Sequence, residues 1–353
     1  MYFKEEVKES SDEYMRTYNV MRLGDIAFEG NKSKNYSHGR FVENTIGDGI
    51  VSHVFDVFRP TTSYDLLFWK YLINNEGVMG RIMARCTNAS TMMTNLVASD
   101  FLKEKILVPS LKEQKKIGAY FDSLDHLITL HQRKCEQTKK LKKYMLQKMF
   151  PQNGAKVPEI RFDGFTYDWE QRKLKEIADK VSEKNKNNEF SEPFTNSAEQ
   201  GIISQKDYFD REIVNNENLD SYYIVRNDDF IYNPRISVTA PVGPINRNRL
   251  GRNGVMSPLY TVFRTHDIDN LYLEFYFKTT KWHRFMKLNG DSGARFDRFT
   301  ISSTQFMEMP IPYPMLDEQR KMGEYFDSLD HLITLHQRQT DFYKKPNFYF
   351  ISS

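Results

Sequence analysis

The amino-acid sequence predicts an α+β protein with two tandem α/β domains, each followed by a long helix, and three observations support this. The 353-residue chain carries an internal duplication, because the segment FDSLDHLITLHQR occurs at 121–133 and again, unchanged, at 326–338. Around each copy, apolar residues recur with the spacing of one helix face. Hydrophobic residues make up 39% of the chain and aromatic residues 14%, which is sufficient to fill the cores of about two domains.

The duplication extends beyond the identical segment. At the same offset of 205 residues, 113–120 (EQKKIGAY) matches 318–325 (EQRKMGEY), and Pro109 matches Pro314. Solenoid proteins repeat about every 20–50 residues, so this much longer period predicts tandem domains. Because the helices are nearly identical whereas the preceding segments agree at few positions, we expect one shared frame that carries two different recognition surfaces.

The repeat also predicts where the domains begin and end. The lead-in at 158–206 is almost without a counterpart before the first copy, so we expect the first domain to be truncated at its N-terminal end. In the second copy Pro346 occupies the place of Leu141, and a proline inside a helix costs about 3 kcal/mol. The predicted parts are a first domain at 1–109, a central long helix at 110–150, a second domain at 151–315, a shortened second helix at 316–345 and an irregular tail at 346–353.

The first long helix begins at a capping box, in which Ser110 is followed three residues later by Glu113. Its apolar residues then recur mostly at alternating steps of four and three, which is the heptad-like pattern of a coiled coil. The second copy repeats this stripe, so we expect the two helices to pair. The predicted seam consists of Phe121, Leu124, Ile128, Phe326, Leu329 and Ile333.

His131 and His336 lie on the same seam. A histidine pair can bind zinc or act in catalysis, but a seam histidine more often forms a hydrogen bond that sets the register. The lysine run at 139–143 is typical of a solvated helix face, with contact to a phosphate or a partner as the alternative.

In the second domain, 222–233, 254–264 and 308–314 have the pattern of strands, and 271–288 predicts an amphipathic helix.

Positive charge in the chain is local. The 50 basic and 47 acidic residues give a net charge of +3, which excludes a uniformly basic surface for binding nucleic acid. From Arg235 to His266 the sequence has five arginines, no acidic residue and several prolines. Arginine can donate two hydrogen bonds to guanine or to a phosphate, so the pattern favours DNA contact over ordinary solvated charge. The candidate DNA-binding residues are Arg235, Arg247, Arg249, Arg252, Arg295 and Arg298 in the second domain, and Lys32, Lys34 and Arg40 on a similar loop of the first.

The sequence lacks the common catalytic motifs. It contains no Asn/Asp-Pro-Pro-aromatic signature of adenine methylases, no Walker loop and no His-Glu-x-x-His segment. The two cysteines, Cys86 and Cys135, disfavour a disulfide scaffold and a cysteine zinc site. The N-terminal residues have no apolar region typical of a secretion signal, and no apolar stretch is long enough for a bilayer. We therefore expect no catalytic residue, no metal site and no membrane partner.

Three segments resemble the specificity subunit of type I restriction-modification systems: 109–133, 158–174 and the NPRISVTAPVGPINR loop at 233–247. The resemblance implies that each α/β domain is a target recognition domain that reads one half of a bipartite double-stranded DNA site. It implies that the two long helices pair antiparallel as a coiled-coil spacer between the half-sites. Its implied partners are two adenine methylase subunits and a restriction/translocase subunit in the cytoplasm. S-adenosylmethionine, ATP and Mg²⁺ would be bound by those partners, so this chain would direct methylation and restriction without being an enzyme.

Three other interpretations remain open at this point. A free-standing DNA-binding protein would use its helices to form a homodimer and would need no methylase. A silent or damaged recognition cassette would have no activity, and a nuclease acting alone would cleave DNA with a metal ion.

Overall fold

A computed structural model describes residues 12–89, 93–152, 154–208, 219–291 and 297–349 of the chain. These residues form two compact units. The first consists of the described residues up to Cys135 together with those from Leu335, and the second of those from Glu136 to Thr334. Each of the two long helices therefore begins in one unit and ends in the other.

The first unit combines short strands with helices, and leads into a long helix. In chain order its elements are α1 (Asp12–Met15), β1 (Asn19–Met21), β2 (Ile26–Glu29), β3 (Arg40–Glu43), β4 (Gly49–Val51), β5 (Asp56–Phe58), α2 (Leu66–Ile73), α3 (Glu76–Cys86), β6 (Thr87–Ala89), β7 (Thr94–Leu96), α4 (Ala98–Phe101) and α5 (Leu111–Lys148). Strands β3, β2 and β5 form an antiparallel sheet in that order, β1 pairs with β4, and β6 pairs with β7. Helices α2 and α3 begin where Asp65 and Asn75 accept hydrogen bonds from backbone N–H groups, as side chains at helix N-termini do. The core contains Phe28, Phe41, Ile73, Met79, Ile82, Met83 and Cys86.

The second unit has the same kind of architecture with additional strands at its start. Its elements are β8 (Glu170–Lys173), a 3₁₀ turn (Leu174–Glu176), β9 (Ala178–Lys180), β10 (Phe194–Ser197), β11 (Gly201–Ser204), α6 (Gln205–Tyr208), β12 (Tyr223–Val225), β13 (Phe230–Tyr232), β14 (Ile245–Arg247), β15 (Gly254–Met256), β16 (Thr261–Thr265), α7 (Asn270–Phe277), α8 (His283–Asn289), α9 (Ser303–Met307), β17 (Pro310–Tyr313) and α10 (Leu316–Tyr349). An antiparallel sheet has the order β14–β13–β16–β9, and β17–β8, β12–β15 and β10–β11 form separate pairs. Its aromatic core includes Phe230, Phe263, Tyr272, Phe306 and Phe326.

The duplication in the sequence is also present in the strand pairing. Strand β2 pairs with β3 and β5, with Ile26 opposite both Glu43 and Phe58. Strand β13 pairs in the same way with β14 and β16, with Phe230 opposite both Arg247 and Phe263. The prediction of an α+β fold with two tandem units is confirmed.

The matching segments 113–120 and 318–325 attach each long helix to its own unit. The Gln114 side chain accepts a hydrogen bond from the N–H of Asp65 at 3.1 Å, and Gln319 accepts one from Asp269 at 2.9 Å. Four residues further along, a Cβ at Gly118 would lie 2.6 Å from the backbone nitrogen of Phe68, and one at Gly323 would lie equally close to a side-chain carbon of Leu271. Hydrogen bonding and close approach to α2 or α7 explain why the glutamine and the glycine occur in both copies.

Contacts between α5 and α10 show an antiparallel pair. In the first unit the Nδ1 atoms of His131 and His336 lie 3.1 Å apart, so one ring donates to the other. In the second unit the Lys142 ammonium donates to Asp330 at 2.5 Å. Residue numbers thus rise along α5 in the direction in which they fall along α10, so the two helices run antiparallel. Burial and the neighbouring His336 lower the pKa of His131, which favours the neutral ring that such a hydrogen bond needs.

The predicted seam residues have more than one role. Leu124, Ile128 and Leu329 are buried. Phe121 packs on Tyr71 of α2, and Phe326 packs on Phe275 of α7. These two aromatic residues therefore attach each helix to its own unit, which the heptad pattern alone does not reveal.

Two helices differ in extent from their sequence predictions. Helix α10 extends to Tyr349 rather than ending at residue 345 before Pro346. A proline close to the end of a helix removes one hydrogen bond, and the remaining turn can continue with local bending. The predicted helix at 271–288 is divided into α7 and α8, because the Thr279 hydroxyl and the Trp282 indole donate to carbonyls in the last turn of α7.

Candidate nucleic-acid interface

The loop that joins β13 to β14 is held in one conformation by its own contacts. The Tyr232 hydroxyl donates to the Val242 carbonyl at 2.9 Å, and the N–H of Asn233 donates to the Pro244 carbonyl at 3.0 Å. Gly243 has a φ of +83°, and a Cβ there would lie 2.1 Å from the carbonyl oxygen of Asn233, so this position requires glycine. The backbone conformation of the loop is therefore fixed, and its outward side chains project from defined positions.

Two of the candidate arginines lie directly opposite each other at the start of this loop. Arg235 and Arg298 form an antiparallel backbone bridge, and the N–H of Phe299 donates to the Pro234 carbonyl at 2.7 Å. Both arginine side chains are exposed. Among the described residues, the one carboxylate within 4.0 Å of either guanidinium is that of Asp297, at 4.0 Å from Arg298. Like charges directly opposite each other on a sheet repel, so this pair favours an anion as its neighbour.

A polar cleft of about 380 Å³ lies beside Arg235. Its floor is ordered by asparagines, because Asn246 donates to the Asn196 side chain at 2.6 Å and Asn233 donates to the Asn196 carbonyl at 2.8 Å. Amide, hydroxyl and guanidinium groups are the side-chain types that read base edges in DNA. Such groups line the cleft on Ser197, Gln200, Asn233, Arg235, Ser237 and Thr239, together with the carboxylate of Glu199. The Asn196 amide is 2% exposed and is bonded within the protein.

Two other candidate arginines lie in an ion-pair network. Arg247 is 10% exposed and donates to Glu274 at 2.8 Å and to Asp228 at 3.1 Å. Arg249 donates to the same Glu274 at 2.8 Å and to Asp327 at 3.0 Å. In this conformation the two guanidinium groups are used within the protein, and Arg247 has little surface to offer DNA.

The next two arginines of the basic segment are also paired with acids. Arg252 makes two hydrogen bonds of 2.8 Å with Glu192, and Arg264 makes two with the buried Asp229, at 2.7 and 2.9 Å. All these acids lie outside the segment 235–266, so counting charges along the sequence could not reveal the neutralisation.

The first unit has an acidic residue where the second has a basic one, and a basic residue where the second has an acidic one. In the strand pairing Glu43 takes the place of Arg247. Lys70 of α2 takes the place of Glu274 of α7, since each lies five residues after the aspartate that caps its helix. Both oxygens of the Glu43 carboxyl are buried without a hydrogen-bond partner among the described residues. Burial raises the pKa of Glu43 to about 8.

The corresponding loop of the first unit, at 30–39, begins with an equivalent backbone bridge but carries different side chains. Asn31 and Met93 form the backbone bridge that Arg235 and Arg298 form in the second unit. Lys32 and Lys34 are exposed on this loop. Arg40 donates to Glu29 at 2.7 Å and lies over the ring of Tyr36. Arg295, the remaining candidate, lies outside the described residues.

Comparison with known proteins matches both units to one family. The family described as the type I restriction modification DNA specificity domain matches residues 46–140 and 167–341, more than half of the chain. The chain belongs to the type I DNA specificity family.

Two curated members of this family are similar to the chain, and both come from Methanocaldococcus jannaschii. The specificity subunit of the type I restriction enzyme MjaVIII is 26% identical over 254 residues, which cover 67% of this chain and 58% of the relative. The protein named "Putative type I restriction enzyme MjaX specificity subunit" is 25% identical over 296 residues, which cover 79% of this chain and 64% of the relative. The chain thus spans about three fifths of the length of these relatives. The crystal structure of the HsdS subunit from Thermoanaerobacter tengcongensis shares the fold, with a TM-score of 0.51, 18% identity and coverage of 94% of this chain and 80% of that one.

The described part of this specificity-family chain shows neither a metal cluster nor a membrane span. Within it, no three His, Cys, Asp or Glu side chains are grouped in a way that could hold a metal ion. His131 and His336 form a hydrogen-bonded pair, as the register interpretation of seam histidines predicts. In the same residues, every helix is too short or too polar to cross a bilayer.

Of the residues that line the cleft in this family member, the sequence identified Arg235 alone. Asn196 and Gln200 lie in the lead-in before the arginine-rich segment, and Thr239 is an ordinary loop residue by composition. They come together only through the pairing of β10 with β11 and the packing of the β13–β14 loop, which no motif in the sequence signals.

Proposed function

We propose that this chain is the DNA-recognition subunit of a type I restriction-modification complex and that its two units read the two halves of a bipartite double-stranded DNA site. The observation that carries the proposal is the pair of equivalent backbone bridges with different side chains. Arg235 and Arg298 occupy the bridge in the second unit, whereas Asn31 and Met93 occupy it in the first. The same backbone arrangement with two different sets of side chains would recognise two different half-sites.

In this proposal the chain recognises the DNA sequence, and its partner subunits carry out the reactions. Two adenine methylase subunits use S-adenosylmethionine on a flipped base, and a restriction/translocase subunit uses ATP and Mg²⁺. The paired helices α5 and α10 set the spacing between half-sites and contact the methylases. The chain itself is not an enzyme, and the complex acts in the cytoplasm.

The test is to co-express the chain with the adenine methylase subunit encoded beside it and to map methylated adenines in the host DNA by single-molecule sequencing. We expect one new bipartite motif with a fixed spacer. A chain in which Arg235 and Arg298 are both alanine should lose or relax one half of that motif and keep the other. Soluble protein that binds the methylase but yields no new methylation would contradict the proposal and favour a silent cassette. A stable homodimer that binds DNA without methylase would favour a free-standing DNA-binding protein.

A further inference from the structure

A short segment before β8 docks on the first turns of α10 through three side chains of that helix. Glu318, which is 1% exposed, accepts hydrogen bonds from the Arg161 guanidinium at 2.6 and 2.8 Å and from the Trp169 indole N–H at 3.1 Å. Lys321 lies over the rings of Phe162 and Phe165. The third helix residue is Tyr325, whose ring meets Phe162 edge to face. The segment RFDGFTYDW at 161–169 thus covers this face of α10.

Helix α5 carries the same three residue types at the equivalent positions. Glu113, Lys116 and Tyr120 correspond to Glu318, Lys321 and Tyr325 at the offset of 205 residues. The two helices are attached to their units in the same way at these positions, because the neighbouring glutamine and glycine make equivalent contacts in both units.

On α5 this face is open. Glu113, Lys116 and Tyr120 are all exposed, with Tyr120 at 52%. Within the described residues, the Glu113 carboxylate has no hydrogen-bond or ion-pair partner, whereas the equivalent carboxylate of Glu318 accepts three hydrogen bonds.

Apolar side chains beside this face are open in the same way. Leu107 is 99% exposed and Leu102 is 71% exposed. Their equivalents in the second unit are covered: Pro312 is paired with Gln171 of β8, and Met307 belongs to the core and is 8% exposed. The described residues 105–108 form no strand pair, although the equivalent residues 310–313 form β17.

We propose that Glu113, Lys116, Tyr120, Leu102 and Leu107 form a docking surface for an extended segment of another polypeptide chain with the pattern Arg-Phe-x-Gly-Phe-x-x-x-Trp followed by a β-strand. The chemistry is complementary, because Glu113 can accept hydrogen bonds from an arginine and an indole N–H. Lys116 and Tyr120 can hold two phenylalanine rings. A strand after the tryptophan would cover Leu107. A second copy of this chain is not the occupant, since its own segment 161–169 is held on its own α10. The proposal is independent of DNA recognition.

The first test measures binding of a labelled peptide to the full chain by fluorescence anisotropy. The peptide has the sequence of residues 158–175, and a matched peptide replaces its arginine by glutamate. We expect saturable binding of the first peptide and binding at least about tenfold weaker for the second, because the paired charges are lost. Absence of saturable binding would overturn the proposal.

A charge exchange distinguishes this surface from the equivalent surface on α10. Glu113→Lys should weaken binding of the first peptide at least about tenfold and should restore binding of the glutamate peptide. Glu113 is exposed, so the variant should fold with an unchanged circular dichroism spectrum and Tm. Glu136→Lys, at another exposed glutamate of α5, serves as the control and should leave binding unchanged. Peptide binding that Glu113→Lys does not affect would overturn the proposal. So would self-association, measured by sedimentation, that Glu113→Lys abolishes, because the occupant would then be a second copy.

Discussion

Arg235 and Arg298 face each other across an isolated antiparallel backbone bridge in the second unit, although they lie far apart in the sequence. Both side chains are exposed, and the equivalent bridge in the first unit joins Asn31 to Met93. Arg235 lines a polar cleft, and under the proposed function the two arginines contact DNA phosphates or bases. The other described arginines of the basic segment are neutralised by acids.

We predict that Arg235→Ala and Arg298→Ala each weaken DNA binding without changing the stability of the chain. With about six phosphate contacts, log K should fall against log salt with a slope near about −5 in the unaltered chain, and each lost phosphate contact should reduce the slope by about 1. The measurement is DNA affinity at several salt concentrations. Arg252→Ala is the matched control, since this exposed arginine is paired with Glu192 and lies outside the cleft lining. Equal losses in all three variants would contradict a specific role for the pair.

Arg247→Ala should reduce stability more than it reduces DNA affinity. Arg247 and Glu274 are both largely buried and 2.8 Å apart, so the substitution leaves a buried carboxylate with Arg249 as its remaining cation. Breaking a buried pair typically costs about 3–5 kcal/mol, and sharing of Glu274 with Arg249 should bring the loss toward about 2–3 kcal/mol. Urea denaturation measures the change in the free energy of unfolding. A fully stable variant with weakened DNA binding would instead support the prediction from sequence that Arg247 contacts DNA.

The free energy of unfolding of the first unit should fall as the pH rises from about 4.5 to about 8, because Glu43 is held protonated in the fold. A carboxyl whose pKa is raised to about 8 in the native state binds more protons there than in the unfolded chain. Its contribution to stability is therefore complete below the ordinary pKa and lost as the pH passes 8. The slope should reach about 1.4 kcal/mol per pH unit. Hydrogen exchange of β2 and β3 measured between pH 5 and 9 tests this, and Glu43→Gln should flatten the dependence. An unchanged slope in that variant would assign the effect to another group.

Leu124→Asp should destabilise the first unit by at least about 3 kcal/mol, because it places a charge at a buried position of α5. Under the proposed function it should also reduce association with the methylase. The matched control is Leu130→Asp on the same helix, where the leucine is exposed and the change should be small. Thermal melting and methylase pull-down report the two effects. Similar melting of both variants would mean that the buried stripe of α5 lies elsewhere.

The sequence predicts those parts of the fold that depend on local pattern and on repetition. The two tandem units could be predicted because Gln114 and Gly118 are needed for contacts that recur in the second copy. The state of the arginines could not be predicted, because Glu192, Glu274 and Asp327 reach them from distant parts of the chain. The break between α7 and α8 depends on side chains that bond to the last carbonyls of a helix, and hydrophobic periodicity does not contain that information.

The exchanged acidic and basic residues at the strand–helix contact limit how the two halves of the gene can recombine. If β3 were joined to the helix of the other copy, Glu43 would face Glu274, and the reciprocal product would place Arg247 against Lys70. The first product would bring two carboxyl groups together, and the second would bring two cations together. A crossover within the identical segments at 121–133 and 326–338 leaves each strand with its own helix. Recombination that yields folded products is therefore expected at the long helices and not inside the α/β units.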